Sequence, residues 1–321
     1  MSLVIFSEAG YKFGFGHFYR MSGICETAIA RGHDVKMYLV ADDVAKQNLD
    51  RSYVSFTDWH EKEVYENILS DETTLVVDSY HVDIEELERL NDIAGNMIVI
   101  DDNMRLDYHD MSILNPNYFA KWLEYPDGKG NEYYLGKDYT LLRDEFNVTF
   151  DREVPDEVTD VLITMGGTDL KHMTVKAIKA VKSVSEYVRI HAVVTNAYSD
   201  LDEIESLIGP ADKLYNDIGA DVMSSLMRNC AFAVSSAGGT TNELIKTQCP
   251  SALVVVADNQ VLNTKYLSEE GTIEVLEDDP EKVIAGMFSK EKRSSMAERL
   301  AAYKSDRSGK DLIYDIAFKG K

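Results

Sequence analysis

Short apolar runs recur along the whole chain, and stretches with helical periodicity separate them. Runs of about four residues rich in Val and Ile are typical of strands buried on both faces. The runs are 3–6, 35–40, 75–77 and 97–100 in the first half, and 161–164, 190–194, 231–234 and 253–256 in the second. Between two of them, Val175, Ile178 and Val181 recur at helical spacing. This alternation predicts an α/β fold with two Rossmann-like, doubly wound parallel sheets.

The length of 321 residues favours two domains. A turn-rich loop at 125–131 and a polar stretch at 150–156 precede the first strand of the second half. We therefore expect a junction near 145–157, with an N-terminal domain at 1–150 and a C-terminal domain at 151–321. A final helix starting within 306–313 is expected to return to the first domain, as in two-domain folds of this kind.

Composition excludes several classes of protein. The formal net charge of −23 argues against a general binder of nucleic acids or anionic membranes, because such binding needs a basic surface. Cys25, Cys230 and Cys249 show no CxxC spacing, so neither a disulfide framework nor a zinc site is expected. No apolar run approaches the roughly 18 residues of a membrane span, and the N-terminus resembles a first strand more than a signal peptide. We expect a cytoplasmic protein with no stable membrane insertion.

Ligands of parallel sheets bind at the carboxyl ends of the strands, which directs attention to the loops there. The first loop has the pattern GxGHxxR, with Gly14, Gly16, His17 and Arg20. Glycines let the backbone approach a ligand, and a neutral histidine at the start of the next helix is a candidate general base. Arg20, one turn later, can meet an anionic group. The same pattern also fits a glycine turn with a capping histidine.

Acidic residues follow two further strands of the first half. Asp78 and Tyr80 come after one run, and Asp102 after the next. By the strand-end rule these side chains face the ligand, where they can contact sugar hydroxyls or hold His17. Aspartates after strands also commonly cap helices or form turns, so each position alone admits a purely structural interpretation.

The second half carries small and hydroxyl residues after its strands, a composition that suits phosphate binding by backbone amides at a helix start. Glu243 is placed to accept hydrogen bonds from ribose hydroxyls, although it also fits a simple first-turn glutamate. The pattern GxxxxGK[ST] of a P-loop does not occur. The residues predicted for this phosphate and ribose site, which the resemblance described below identifies as a UDP site, are Gly166, Gly167, Thr168, Ser236, Gly239, Thr240, Thr241, Asn242, Glu243 and Gln260.

Taken in order, these motifs resemble one family. The chain is similar to the UDP-2,4-diacetamido-2,4,6-trideoxy-β-L-altropyranose hydrolases of pseudaminic acid biosynthesis and their spore-coat polysaccharide relatives. The matching segments are 14–20, 78–80, 101–102, 114–117, 142–146, 165–169, 242–243 and 259–260. The family is similar in fold to the peptidoglycan N-acetylglucosaminyltransferase, so the resemblance implies a GT-B fold with a cleft between two Rossmann-like domains.

The resemblance also implies roles. His17 would be the catalytic base that activates water, and Tyr80 and Asn259 would line the sugar site. UDP would leave from the anomeric carbon with inversion, and the free sugar would enter nonulosonic acid synthesis. No cofactor, metal or protein partner is expected beside the UDP-sugar. The substrate-binding residues would be Gly14, Gly16, Arg20, Asp78, Asp102 and Arg143.

Two features depart from the hydrolase pattern. The stretch 235–241 is richer in glycine and looks more like a glycosyltransferase loop, and the opening at 6–11 is similar to that of the spore-coat relatives. The sugar, and whether water or another hydroxyl is the acceptor, therefore stay open. The alternatives are a GT-B glycosyltransferase of surface polysaccharide biosynthesis and a non-catalytic nucleotide-sugar binder.

Overall fold

A computed structural model describes residues 2–11, 13–146, 151–167, 169, 171–276 and 279–319. The chain forms two compact units: unit 1 comprises Met1–Arg143 and Ser305–Lys321, and unit 2 comprises Asp144–Lys304. The division thus falls at Arg143, a little before the boundary at residue 150 that the sequence suggested. The physical reason lies in Phe146, which is fully buried, and in Ser224, whose hydroxyl donates to the carbonyl of Glu145 at 2.7 Å within unit 2.

Unit 1 is built on a sheet of seven parallel strands in the order β3-β2-β1-β4-β5-β6-β7. The strands are β1 (Ser2–Ala9), β2 (Val35–Ala41), β3 (Val54–Phe56), β4 (Thr73–Asp78), β5 (Asn96–Ile100), β6 (Ser112–Asn115) and β7 (Glu132–Leu135). The helices between them are α1 (Gly16–Ala30), α2 (Asp43–Asn48), α3 (Lys62–Ile68) and α4 (Ile84–Ile93).

Alternate residues of β1 supply the two cores of unit 1. Leu3 and Ile5 pack in a cluster with side chains of α1, whereas Val4 and Phe6 pack on the other face with Trp59. This is the period-two pattern of a strand covered on both sides. This explains why residues 3–6 of β1 form a continuous apolar run in the sequence.

Unit 2 repeats the plan with six parallel strands in the order β10-β9-β8-β11-β12-β13. Its strands are β8 (Asp160–Thr164), β9 (Arg189–Val194), β10 (Lys213–Asn216), β11 (Phe232–Ser236), β12 (Ser251–Val254) and β13 (Glu274–Val275). Its helices are α5 (Met173–Val184), α6 (Leu201–Leu207), α7 (Ala220–Asn229), α8 (Thr240–Lys246), α9 (Val261–Glu269), α10 (Pro280–Met287) and α11 (Lys290–Ala301).

The last helix, α12 (Gly309–Phe318), belongs to unit 1. Its Ile313 and Ile316 join the core cluster that contains Leu3 and Ile5. Gly309 is tightly enclosed, because a Cβ there would lie 2.4 Å from the carbonyl oxygen of Tyr139. Among the described residues, no helix is both long and apolar enough to cross a membrane.

Each of the eight predicted apolar runs overlaps a strand. The run at 253–256 extends two residues past the end of β12. The strand ends at Val254, because its partner β11 ends at Ser236, directly opposite that residue. Five short strands (β3, β6, β7, β10 and β13) lie outside the predicted runs. They have two to four residues each and stand at or towards the sheet edges, where polar residues are tolerated.

Candidate active site

Strand order places the candidate site of unit 1. The order reverses between β1 and β4, and such a switch point is where the loops from neighbouring strands diverge and leave a crevice. The loop after β1 and the turn after β4 flank this point. Together with the start of α1 and the last residue of β4, they carry most of the residues that the sequence predicted for the N-terminal domain.

The loop after β1 is a closed glycine turn. Gly10 and Gly14 exchange two backbone hydrogen bonds, of 3.1 and 2.8 Å. Both have positive φ, at 144° and 73°. A Cβ on Gly10 would lie 2.4 Å from a carboxylate oxygen of Asp42, so this position requires glycine. Helix α1 begins at Gly16, and His17 is therefore its second residue.

His17 is held by a buried carboxylate. Its Nδ1 lies 2.8 Å from Oδ1 of Asp78, and the relative exposures of the two residues are 6% and 0%. Arg20, one turn later on α1, donates from Nε to Oδ2 of Asp78 at 2.6 Å and from a terminal nitrogen to Oδ1. Asp78 thus receives a bidentate guanidinium and an imidazole together, a geometry that fixes its orientation.

Asp102 is the second carboxylate of the cluster. It accepts from Arg20 at 2.9 Å, from the hydroxyl of Tyr80 at 2.5 Å and from the amide of Asn117 at 2.7 Å. The ring of Tyr80 meets that of His17 edge to face, with centroids 4.6 Å apart. The five residues His17, Arg20, Asp78, Tyr80 and Asp102, all identified as candidates from sequence, therefore form one connected network.

Inside this network the guanidinium of Arg20 forms ion pairs with the carboxylates of Asp78 and Asp102. Burial would raise the pKa of Asp78, but the charge of Arg20 and the imidazole of His17 outweigh it and hold that pKa well below its usual range. Burial opposes ionisation of Asp102 too, yet Arg20 lowers its pKa. The pKa of Arg20 is raised by the same two carboxylates against the effect of burial. One cation and two carboxylates leave a net negative charge beside His17.

A supporting layer behind Asp102 comes from the ends of β5 and β6. Tyr125 donates to Oδ2 of Asp101 at 2.9 Å, and Asn115 donates to the carbonyl of Asp102 at 3.1 Å. Burial raises the pKa of Asp101. We did not predict Asn117 and Tyr125 as site residues from the sequence. Asn117 lies in the segment 114–117 that carries the family resemblance, whereas Tyr125 reaches Asp101 from a distant loop.

Two further predicted residues are Arg143 and Asn259. Arg143 is the last residue of the N-terminal stretch of unit 1, with its guanidinium carbon 5.9 Å from the ring centroid of Tyr19. Asn259 belongs to unit 2, where it is exposed in a short 3-10 turn after β12. Within unit 1, Arg20 meets two anionic groups, Asp78 and Asp102.

Unit 2 has its own switch point, between β8 and β11. The two loops there are tied together, since the hydroxyl of Ser236 donates to the carbonyl of Met165 at 3.0 Å. Tyr198 donates to the carbonyl of Gly166 and Thr195 to that of Gly167, each at 2.9 Å. The predicted residue Thr168 lies outside the described residues.

The glycine-rich loop after β11 is supported from the segment after β12. Gln260 accepts from the backbone amide of Val256 at 2.9 Å, and its amide nitrogen lies 3.5 Å from where a Cβ of Gly238 would be. Asn263 contacts the carbonyl of Ala237 at 3.4 Å. Of the predicted residues in and after this loop, Gly239 is exposed, Thr240 and Glu243 are partly buried, and Thr241 and Asn242 are buried.

Two Rossmann-like units, each with polar loops at its switch point, are characteristic of the GT-B fold. Structural comparison supports that class. MurG of Acinetobacter baumannii superposes with a TM-score of 0.62 at 12% identity, over 99% of this chain and 100% of MurG. The spinosyn rhamnosyltransferase SpnG complexed with thymidine diphosphate gives 0.55 at 14% identity, over 98% and 99%.

Sequence comparison finds similarity to two curated hydrolases. The chain is 27% identical over 200 residues to the pseudaminic acid cytidylyltransferase and UDP-2,4-diacetamido-2,4,6-trideoxy-β-L-altropyranose hydrolase of Helicobacter pylori. That match covers 61% of this chain and 36% of the relative, so the chain spans little more than a third of that protein. The UDP-2,4-diacetamido-2,4,6-trideoxy-β-L-altropyranose hydrolase of Campylobacter jejuni is 22% identical over 284 residues, 84% of this chain and 97% of the relative. No family model matches the chain.

Proposed function

We propose that the protein hydrolyses a UDP-sugar at its anomeric carbon and releases UDP and a free 2,4-diacetamido-2,4,6-trideoxy hexose. The observation that carries this proposal is the buried contact of 2.8 Å between His17 Nδ1 and Asp78. It is supported by the names of the relatives from Helicobacter pylori and Campylobacter jejuni, both hydrolases of such a substrate. The product would serve the synthesis of a nonulosonic acid of the pseudaminic type.

Asp78 makes His17 a base at its other nitrogen. Nδ1 lies 2.8 Å from the ionised carboxylate of Asp78 and 3.1 Å from a guanidinium nitrogen of Arg20. The nearer carboxylate favours the tautomer with the proton on Nδ1, which leaves the lone pair on Nε2. Nε2 then accepts a proton from the attacking water. Asp78 holds the ring in place while it carries that proton.

The bond changes follow from this assignment. As Nε2 of His17 takes the proton, the water oxygen forms a bond to the anomeric carbon on the face opposite UDP. The bond between that carbon and the UDP oxygen breaks, and its electron pair leaves with the diphosphate. A single displacement of this kind inverts the anomeric centre.

Tyr80 and Asn259 are proposed to line the sugar site, together with Gly14, Gly16 and Arg143. Tyr80 is held for this role, because its hydroxyl donates to Asp102 and its ring packs against His17. Arg20, Asp78 and Asp102 act mainly on His17 and Tyr80.

Unit 2 is proposed to bind UDP through the loops at its switch point. The glycosyltransferase SpnG, which shares the fold and is complexed with thymidine diphosphate, supports nucleotide binding by this chain. Backbone amides and hydroxyls of small residues can hold a diphosphate without many lysines, which suits a chain of net charge −23. The residues proposed are Gly166, Gly167, Thr168, Ser236, Gly239, Thr240, Thr241, Asn242, Glu243 and Gln260.

The test is UDP release from UDP-2,4-diacetamido-2,4,6-trideoxy-β-L-altropyranose with no acceptor added, comparing wild type with His17→Phe. We expect turnover in the wild type and a loss of about 10²- to 10⁴-fold in kcat in the variant. His109→Gln, at an exposed histidine, is the matched control. Equal turnover in wild type and His17→Phe would remove the proposed base.

A glycosyltransferase is the second candidate, favoured by the glycosyltransferase structures of the same fold and by the glycine-rich loop after β11. The same assay separates the two functions. A transferase binds UDP but releases it quickly only when an acceptor hydroxyl is present. A hydrolase needs water alone.

A further inference from the structure

A second group of ionisable side chains lies in unit 1 and is not used by the proposed mechanism. We call it the Glu8 cluster; its members are Glu8, His60, Ser79, His81 and Glu86. Glu8, near the end of β1, is only 1% exposed. Its Oε1 accepts from the hydroxyl of Ser79, and its Oε2 lies 2.9 Å from Nδ1 of His81.

His60 bridges two carboxylates of this cluster. Its Nδ1 lies 2.9 Å from Glu86 on α4, and its Nε2 lies 3.6 Å from Glu8 on β1. The ring stacks on Trp59 with centroids 3.9 Å apart. Burial would lower the pKa of His60, but Glu8 and Glu86 outweigh it and raise that pKa to about 9. At neutral pH His60 is therefore a cation that holds two carboxylates together.

The segment 78–81 lies between this cluster and the candidate active site. Asp78 and Tyr80 contact His17 and Asp102, whereas Ser79 and His81 contact Glu8. One short stretch therefore contacts both groups.

Glu8 also secures the turn that follows. The hydroxyl of Ser79, which donates to Glu8, accepts from the backbone amides of His81 at 2.9 Å and Val82 at 3.1 Å. Arg105 donates to the carbonyl oxygens of Ser79 and Val82 at 3.3 and 2.9 Å. Ser79 can accept both amides in this orientation because Glu8 takes its hydroxyl hydrogen.

We propose that Glu8, held by His60 and Glu86, is a positioning residue that fixes the turn after β4 and thereby the places of Asp78 and Tyr80. Its kinetic consequence rests on the proposed function, whereas its effect on the His17–Asp78 hydrogen bond does not. The cluster acts through the turn and touches no substrate.

The proposal predicts a specific alkaline effect. The groups that face His60 are Glu8 from β1, Glu86 from α4 and Asp58, which accepts from the backbone amide of His60. When His60 loses its proton, Glu8 and Glu86 face each other across a neutral ring. The turn loosens, and kcat falls as pH rises through about 9.

The experiment compares the full-length wild type with Glu8→Gln, Glu8→Asp and His60→Gln, with His109→Gln as the matched control. The first readout is the ¹H and ¹⁵N NMR signal of the Nδ1–H of His17, which reports its bond to Asp78 without any turnover. The second is kcat and KM over pH 6–10. Circular dichroism verifies that each variant is folded.

We expect Glu8→Gln to shift or broaden the His17 signal and to lower kcat at least tenfold with KM changed less than threefold. Glu8→Asp, which keeps the charge, should recover part of kcat, and His60→Gln should remove the alkaline limb. An unchanged His17 signal in folded Glu8→Gln would overturn the proposal, and so would an unchanged alkaline limb in His60→Gln.

The proposal can still be tested if Glu8→Gln does not fold or if the wild type shows no turnover. If Glu8→Gln does not fold, Ser79→Ala removes the link to the turn while leaving Glu8, His60 and Glu86 in place, and the same shift of the His17 signal is expected. If the wild type does not turn over the UDP-sugar, the proposed hydrolase fails, yet the His17 signal still decides the role of Glu8.

Discussion

Oδ1 of Asp78 lies 2.8 Å from Nδ1 of His17, at the meeting of the end of β4 and the start of α1. The two residues are 61 positions apart in the sequence and are adjacent because β4 pairs directly with β1. A buried carboxylate in this position sets both the tautomer and the orientation of the imidazole. The proposed role of His17 as the catalytic base depends on this pair.

Replacing Asp78 by Asn should impair catalysis more than binding. The amide can donate to Nδ1, which moves the proton to Nε2 and removes the base. We expect kcat to fall about 10²- to 10⁴-fold with little change in KM. Steady-state kinetics measure this. Asp107→Asn, at an exposed ion pair with Lys129, is the matched control and should retain full activity.

Arg20 should be important for stability as well as for activity. Its removal leaves Asp78 and Asp102 buried side by side without their shared cation, a change that costs about 3–5 kcal/mol in other buried pairs. We expect Arg20→Met to lower the free energy of unfolding of unit 1 by this amount in urea titrations. Arg20→Lys, which keeps the charge but loses the bidentate contact, should fall between. A loss below about 1 kcal/mol in Arg20→Met would show that the cluster is not tightly coupled.

Stability should fall on the acid side. The pKa values of Asp78 and Asp102 are lowered in the folded state, so their contribution is complete above the unfolded value of about 4 and is lost as pH falls below it. Thermal unfolding between pH 7 and 3 measures this. Asp102→Asn should flatten the acid limb, whereas an identical limb in that variant would assign acid unfolding to other groups.

Gly10 is predicted to be sensitive for a steric reason that Gly128 lacks. Both have positive φ, but a Cβ on Gly10 would strike Asp42, while one on Gly128 would meet nothing within 4 Å. Gly10→Ala should therefore destabilise the protein beyond the roughly 1–3 kcal/mol of backbone strain alone, and Gly128→Ala should show only the strain. Chemical denaturation of both variants checks the difference, and equal effects would contradict the steric reason.

Much of the fold was predictable because the inner strands are buried on both faces, so that hydrophobicity alone marks them. The short strands β10 and β13 were not predictable in this way. Lys213–Asn216 and Glu274–Val275 carry polar residues, which their positions at the sheet edges tolerate. Strand ends likewise pointed to His17, Asp78 and Asp102. The sequence left open whether Asp78 contacts sugar hydroxyls or holds His17, because their contact depends on the order β1-β4-β5 in the sheet.

The Glu8 cluster shows a second limit. Glu8 lies within the apolar strand β1 and appears in the sequence as an interruption of a buried run. Its partners His60 and Glu86 come from two other elements, and no local spacing connects them. Only the folded sheet shows that the carboxylate is satisfied on both oxygens.

Hydrolysis in ¹⁸O-labelled water tests whether water attacks the anomeric carbon directly. The purified protein is given UDP-2,4-diacetamido-2,4,6-trideoxy-β-L-altropyranose with no acceptor, and mass spectrometry and NMR follow both products. We predict that wild type releases UDP without label and a sugar labelled at C1 with the inverted configuration, and that His17→Phe releases neither at a comparable rate. Label in UDP, or a sugar of retained configuration, would contradict direct attack of water on the anomeric carbon.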